Sequence, residues 1–201
     1  MPRALEAASR FLPRGESMAT VLSVSGSPSP TSRTTRLLRL VDARLEERGH
    51  RVVPFEVRSL PAHALLSGDV GHPELAAALE LFAEADGVVI GTPVYKAAYS
   101  GLLKTLLDVL PQYALRDKAV LPLATGGSTA HVLAVDYALR PVLSSMGADH
   151  ITQGWFVLDR HITVREDGST VVERETEVLL RPVVDAFGAA LERRAAPALA
   201  S

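Results

Sequence analysis

The chain reads as an α/β protein: a doubly wound five-stranded parallel sheet in the order 2-1-3-4-5, with helices on both faces. Three observations predict this. Short β-branched or apolar runs alternate with stretches of helical periodicity along most of the chain. Gly87-Val88-Val89-Ile90-Gly91 is apolar without alternation, as a central strand covered on both sides must be. The segments richest in Ser, Thr, Gly and Pro directly follow strand candidates, at the strand ends where open parallel sheets take ligands.

Residues 20–25 form the first strand, and 32–48 a helix with Leu37, Leu38, Val41 and Leu45 on one face and Gly49 to stop it. The second strand spans 51–57. The next helix spans 73–85, where Pro73 suits the first turn and Leu75, Leu79 and Phe82 fall in step. After the central strand at 87–91 come a helix over 100–110, ended by Pro111, and a strand over 118–124. Residues 130–146 form the fourth crossover helix, closed by Gly147, and 151–158 the fifth strand. Pro141 cannot donate to the carbonyl of Tyr137 four residues earlier, so this helix must open there, as a bulge or as a plain kink with Tyr137 in the core. Asp167-Gly168 marks a small hairpin over 162–172. A last helix spans 173–194, with Val178, Leu179, Val183 and Phe187 at near-helical spacing.

The helix over 100–110 carries Leu102, Leu103, Leu106, Leu107, Val109 and Leu110 nearly all round. Its outer side needs a cover, and a second subunit is the expected one. Lys104 and Asp108 are spaced to pair on its margin.

With 201 residues and 47% hydrophobic composition, one domain over 19–194 is expected, preceded by a disordered extension over 1–18 and followed by a frayed tail over 195–201. Trimming the leader is expected to leave folding and activity intact. The formal net charge of −2, without long charge runs, disfavours nucleic acid and anionic membranes as partners. The absence of cysteine excludes disulfides, thiolate metal sites and thiol redox chemistry, and suits the cytoplasm. No apolar run approaches the length of a membrane span or a signal peptide. The six histidines lack paired ligand spacing, so no metal is assigned. Ser128, His131 and Asp136 lack a nucleophile-elbow sequence and are read as solvated residues rather than a triad.

Three loops carry the chemistry. Ser23-Val24-Ser25-Gly26-Ser27-Pro28-Ser29-Pro30-Thr31-Ser32-Arg33-Thr34 has one glycine and no Gly-Lys-Ser/Thr ending, so it is neither a dinucleotide fingerprint nor a P-loop. Its hydroxyls, its arginine and the start of a helix suit one terminal phosphate. Taken alone it reads equally well as a capped turn with Ser32 as N-cap. In the second loop, Pro93 fixes the backbone, and Tyr95 and Tyr99 lie beside a flat ring or fill the periphery of the core. In the third, Thr125-Gly126-Gly127-Ser128-Thr129, adjacent glycines admit a ligand to the main chain or make a left-handed turn. Together the loops look like a site for flavin mononucleotide (FMN).

The run Thr92-Pro93-Val94-Tyr95-Lys96-Ala97-Ala98-Tyr99-Ser100-Gly101 and on to Asp108, then 121–127, then Ala134-Val135-Asp136-Tyr137-Ala138-Leu139-Arg140-Pro141, closely resembles the NADPH-dependent FMN reductases of the alkanesulfonate-utilisation type. The resemblance runs from about Val21 to Gly154 and fades after Asp159. It implies a flavodoxin-like fold, a homodimer or homotetramer, reduction of FMN by NADPH, and delivery of the reduced flavin to a partner monooxygenase that cleaves sulfonates. By position, Ser25, Ser27, Ser32, Arg33 and Thr34 would hold the phosphate, Pro93, Val94 and Tyr95 would meet the ring, and Thr125, Gly126 and Gly127 would line its polar edge. Tyr137 stands where the family inserts a tyrosine that makes a π-helical turn at the subunit interface and tunes flavin exchange.

No acid, base or nucleophile is required of the protein, because hydride passes from nicotinamide to flavin. Two other uses of such a site are a quinone or azo reductase with bound FMN, and a non-enzymatic flavodoxin-like electron carrier. The second favours an acidic docking face, which a net charge of −2 does not suggest. Arg33 and Arg140 are both candidates for the 2′-phosphate of NADPH.

Overall fold

In the computed structural model, which describes residues 18–195, strand β1 (Thr20–Ser25) lies between β2 (Arg51–Glu56) and β3 (Gly87–Tyr95), all parallel, with Ser25 level with both Glu56 and Gly91. Residues 1–17 of the leader expected over 1–18, and 196–201 of the tail expected over 195–201, lie outside the described residues. A two-residue strand β4 (Ala98–Tyr99) folds back on the end of β3, and β5 (Ala119–Gly126) runs parallel along its other side. The edge position is filled by two pieces, β6 (His150–Ile151) and β7 (Trp155–Leu158), both parallel to β5. This is the flavodoxin-like order expected from the sequence.

The pleat sends alternate residues to opposite faces, and each face has its own core. Val21, Val89, Leu121 and Leu123 meet helices α1 (Arg33–Glu47) and α6 (Arg174–Ala195) through Leu37, Leu45, Phe187 and Leu191. Leu22, Val24, Val88 and Ile90 meet the remaining helices: α2 (Ala62–Ser67), α3 (Pro73–Glu84), α4 (Gly101–Val109) and α5 (Arg140–Ser145). In α6 the inward residues are Leu180, Val183, Val184, Phe187 and Leu191. Val178 and Leu179, expected on that face, are exposed.

The fifth strand is continuous in the sequence reading and broken in the structure, and Pro122 is the reason. Thr152 N donates to the Val120 carbonyl at 2.9 Å, so the parallel pattern calls for residue 122 of β5 to donate back to the Thr152 carbonyl. Proline has no N–H to give. Arg140 supplies the missing donor, its Nη2 reaching the Thr152 carbonyl at 3.1 Å while Nη1 reaches that of Ile151 at 3.2 Å. Gly154 then passes so close that a Cβ there would lie 2.5 Å from Val135 Cγ1 and 3.0 Å from the Pro122 carbonyl oxygen.

The expected helix over 130–146 is three pieces: a 3-10 turn at Thr129–His131, a π-helical turn at Val135–Leu139, and α5. The outer side of α4 is covered in part by this chain itself, since Leu102 and Val109 pack against the same core as Leu65 of α2. Six-residue α2 was not expected, and its cover weakens the case for a second subunit on that face. The hairpin β8 (Ile162–Val164) with β9 (Thr170–Val172) buries Ile162 and Val172 beneath α1, while Gly168 takes the left-handed φ of +81° in its turn. Arg36 Nη1 holds it, donating to the Gly168 carbonyl at 3.0 Å and Thr170 Oγ1 at 3.3 Å.

Asp42 of α1 is buried against β1, and burial pushes its carboxyl up to about 6, with the Glu46 charge adding and the Ser23 hydroxyl and Arg39 opposing. Neither Asp42 Oδ1 nor Ser23 Oγ has a well-formed hydrogen bond. The folded state therefore holds a proton that the unfolded chain releases near 3.8, and stability falls as pH rises through the interval between the two values. The loss is at most about 3 kcal/mol. Asp42→Asn is expected to melt several degrees above the parent at pH 8, with the gap closing below pH 4; thermal melts across that range check it.

Candidate functional site

The carboxyl ends of β1, β3 and β5 place the three chemical loops side by side. Gly26 N donates to the Gly91 carbonyl at 2.8 Å, Pro93 is level with Thr125, and the hydroxyls of Thr34 and Thr125 pair at 2.7 Å.

In the first loop Ser27 Oγ accepts from Ser29 N at 3.3 Å and Ser29 Oγ from Thr31 N at 3.2 Å, short side-chain turns that fold the segment back on itself. Ser32 is the N-cap of α1, its Oγ accepting from Thr35 N at 3.1 Å. The N–H groups of Arg33 and Thr34, first in the helix, have no carbonyl within it to bond. No acidic residue stands in this first turn, and Arg33 is exposed. The positive end of the helix and a guanidinium thus face outward together, a place for an anion.

Two expected phosphate ligands are turned elsewhere. Ser25 Oγ pairs with Thr35 Oγ1 at 2.8 Å, and the buried Thr34 hydroxyl faces Thr125. Thr34 shares the buried face of α1 with Leu37, Leu38, Val41 and Leu45, a periodicity visible in the sequence.

In the second loop β3 does not stop at Gly91 but runs on to Tyr95. It turns at Lys96 and Ala97, whose φ values of +51° and +64° make the paired left-handed turn of a tight hairpin. Pro93 and Val94 are buried, while Tyr95 stands half exposed at the lip. Tyr99 packs against the core, and burial pushes its hydroxyl up, with Asp108 adding and Lys104 opposing. Thr92 and Ser100 hold the segment, and the sequence reading assigned neither a role. Thr92 Oγ1 accepts from Ser100 N at 2.9 Å; Ser100 Oγ accepts from Leu103 N at 3.0 Å as N-cap of α4 and donates to the Gly26 carbonyl. A Ser just before Gly101-Leu102-Leu103 was the available signal.

In the third loop Thr125 is buried and Gly126 lies against Phe156, where a Cβ would be 3.0 Å from the ring. Gly127 differs: a Cβ would meet nothing within 4 Å, and neither glycine has the left-handed φ that the turn reading required. The folded chain alone gives no reason for glycine at 127. A flat ligand approaching the main chain does.

Next to this loop Ser128 Oγ caps the 3-10 turn, accepting from Ala130 N at 3.2 Å, and Asp136 pairs with Arg140 at 3.0 Å. Each nitrogen of the Arg140 guanidinium already has a partner, in Asp136 and the carbonyls of Ile151 and Thr152, which ties it to β6 rather than to a dinucleotide phosphate. Among the described residues, no three His, Cys, Asp or Glu side chains gather to hold a metal ion. At the π turn Arg140 N–H reaches back to the Val135 carbonyl, and Tyr137 is 78% exposed beside Leu133 and Val132. Tyr137 is therefore not in the core.

A family model described as NADPH-dependent FMN reductase matches residues 19–163. The chain belongs to that family. Membership makes it an NAD(P)H-dependent flavin oxidoreductase with FMN and NADPH as its flavin and reductant. An FMN reductase (NADPH) of Pseudomonas putida is 46% identical over 88% of this chain and 90% of its own length. The NADH-dependent FMN reductase SfnF of Pseudomonas putida is 33% identical over 79% of this chain and 89% of its own. The apo crystal structure of the NADH:FMN oxidoreductase EMOB superposes with a TM-score of 0.79 at 41% identity, covering 86% of this chain and 90% of that one. The chemistry of the three loops fits the family's flavin: a helix start with a guanidinium that has no partner among the described residues for the phosphate, and open main chain at Gly127 for the ring.

Proposed function

We propose that the chain reduces FMN with NADPH and releases the reduced flavin to a flavin-dependent monooxygenase of the alkanesulfonate type. The observation that carries this is the first turn of α1, which offers Arg33 and unpaired N–H groups without a nearby acid. Ser27, Ser32, Arg33 and the helix N–H groups hold the phosphate, with Ser25 and Thr34 fixing the loop from inside. Pro93, Val94 and Tyr95 bound one side of the ring, and Thr125, Gly126 and Gly127 its polar edge.

FMN, when bound, supplies the atom that accepts hydride. The chain's work is to orient the two rings and to keep water from one face, for which buried Pro93 and Val94 give a rigid apolar floor. The other side of the site is exposed at Tyr95, Lys96 and Gly127, which supports a flavin that enters and leaves. Exposed Tyr137, Leu133 and Val132 support a homodimer or homotetramer joined at the π turn. Residues 19–194 act as one flavodoxin-like unit. Among the described residues no helix is long and apolar enough to cross a membrane, and we place the protein in the cytoplasm.

The test is anaerobic oxidation of NADPH followed by absorbance as free FMN is raised. Many equivalents of FMN reduced per protein are expected. A single stoichiometric reduction identifies an electron carrier instead, and turnover only on adding a quinone or azo dye identifies that class of reductase.

A further inference from the structure

The turn after β7 shapes a second hollow at the same end of the sheet. Leu158 closes β7 level with Gly126 of the third loop, and the chain then turns through Asp159–His161 into the β8–β9 hairpin. Arg160, His161, Thr163, Val171 and Glu173 line an open cleft of about 600 Å³. The one carboxylate in it is already engaged: Glu173 Oε2 lies 3.2 Å from His161 Nε2, while His161 Nδ1 pairs with Thr176 Oγ1 at 2.7 Å. Arg160 is exposed and has neither an ion pair nor a hydrogen bond among the described residues. A guanidinium without a partner, over a hollow with a hydroxyl and an apolar wall, is an unspent bidentate donor for a phosphate monoester.

Three other arginines near the sheet's carboxyl edge have places of their own. Arg140 holds Asp136 and two carbonyls, Arg36 holds the hairpin, and Arg33 stands at the start of α1. A dinucleotide whose nicotinamide lies over the flavin ring must carry its adenosine half past the rim, so a cation that reads it belongs beside the ring loops rather than within them. Arg160, two residues beyond the partner of Gly126, has that position. Relatives at 46% and 33% identity are named for NADPH and for NADH, so the choice between the two is made by side chains within the family and not by its fold.

We propose that this cleft takes the adenosine 2′-phosphate of NADPH and that Arg160 is the residue favouring NADPH over NADH, with Thr163 as a second donor. This rests on the reductase reading above. The test is Arg160→Gln, titrated by calorimetry with adenosine 2′,5′-bisphosphate and with adenosine 5′-monophosphate, and assayed with both nicotinamides. In the parent the bisphosphate is expected to bind more tightly than the monophosphate. The variant should lose on the order of tenfold in bisphosphate affinity, with monophosphate affinity unchanged. KM for NADPH should rise by a similar factor at constant kcat, and KM for NADH should stay put. A parent that binds both adenosine phosphates equally, or a variant that weakens both alike or neither, overturns the proposal. If the parent oxidises neither nicotinamide, the reductase reading has failed, and the two titrations still decide whether the cleft is an anion site.

Discussion

Gly26→Ala is expected to weaken FMN binding by an order of magnitude or more and to lower the melting temperature by several degrees. A Cβ at this position would sit 2.7 Å from Leu103 Cβ, 3.3 Å from Leu103 Cγ and 3.4 Å from the Gly91 carbonyl oxygen. Leu103 is fully buried in α4, so its Cβ cannot swing aside as the end of a long side chain could. The loop must move instead, and two bonds stand in the way: Gly26 N to the Gly91 carbonyl, and the Ser100 hydroxyl to the Gly26 carbonyl. Overpacking of this kind costs roughly 1–3 kcal/mol, and the displacement falls on the segment that presents Ser27, Ser32 and Arg33. Fluorescence titration of FMN alongside a thermal melt measures both effects. Gly127→Ala is the contrast. Its added methyl meets no protein atom and no forbidden φ, so the melting temperature should hold while flavin affinity falls. Unchanged affinity in Gly127→Ala would remove the ring edge from the site.

What the sequence disclosed and what it hid follow one physical line. Elements long enough to repeat a period were legible: α1 through Leu37, Leu38, Val41 and Leu45, and β3 through its unbroken apolar run. Caps were legible where Ser precedes an apolar stretch, as Ser32 was read and Ser100 should have been. Six-residue α2 has under two turns in which to show a period, so its Leu65 gave no signal. The break in the fifth strand is caused by a proline in its neighbour, and the signal within residues 151–158 was Thr152-Gln153-Gly154, a polar interruption with a glycine where the backbone passes close to Pro122. The hydroxyls gave no such signal. Ser25, Ser27, Ser32 and Thr34 look alike along the chain and are all buried, and only the packing of α1 on β1 and β5 separates the hydroxyls paired across elements, Ser25 and Thr34, from those bonded within the loop and the helix cap, Ser27 and Ser32. Arg140 and Arg160 likewise differ only in what surrounds them.

Tyr137→Ala is expected to leave the protomer's fold intact while weakening its self-association by tenfold or more and loosening its hold on flavin. The π turn itself does not need the side chain. Pro141 withholds the donor that the Tyr137 carbonyl would take in an α-helix, and Arg140 N–H closes on Val135 whatever residue stands at 137. With most of its surface in solvent, the tyrosine contributes little to the protomer's core, and a loss within about 0.5 kcal/mol of parental stability is anticipated. The turn instead pushes a large aromatic outward beside Leu133 and Val132, the arrangement of a buried anchor in an interface, where truncation costs about 2 kcal/mol or more. The β4 segment that carries Tyr99 packs on the inner side of this turn, and Val94 of β3 is level with Tyr99, so an altered interface reaches the flavin loop through two contacts. Sedimentation velocity over a range of concentrations, with FMN retention measured by gel filtration, separates the outcomes. A variant that assembles and keeps flavin as the parent does would leave the outward tyrosine without a role. One that unfolds would place Tyr137 in the protomer's core after all.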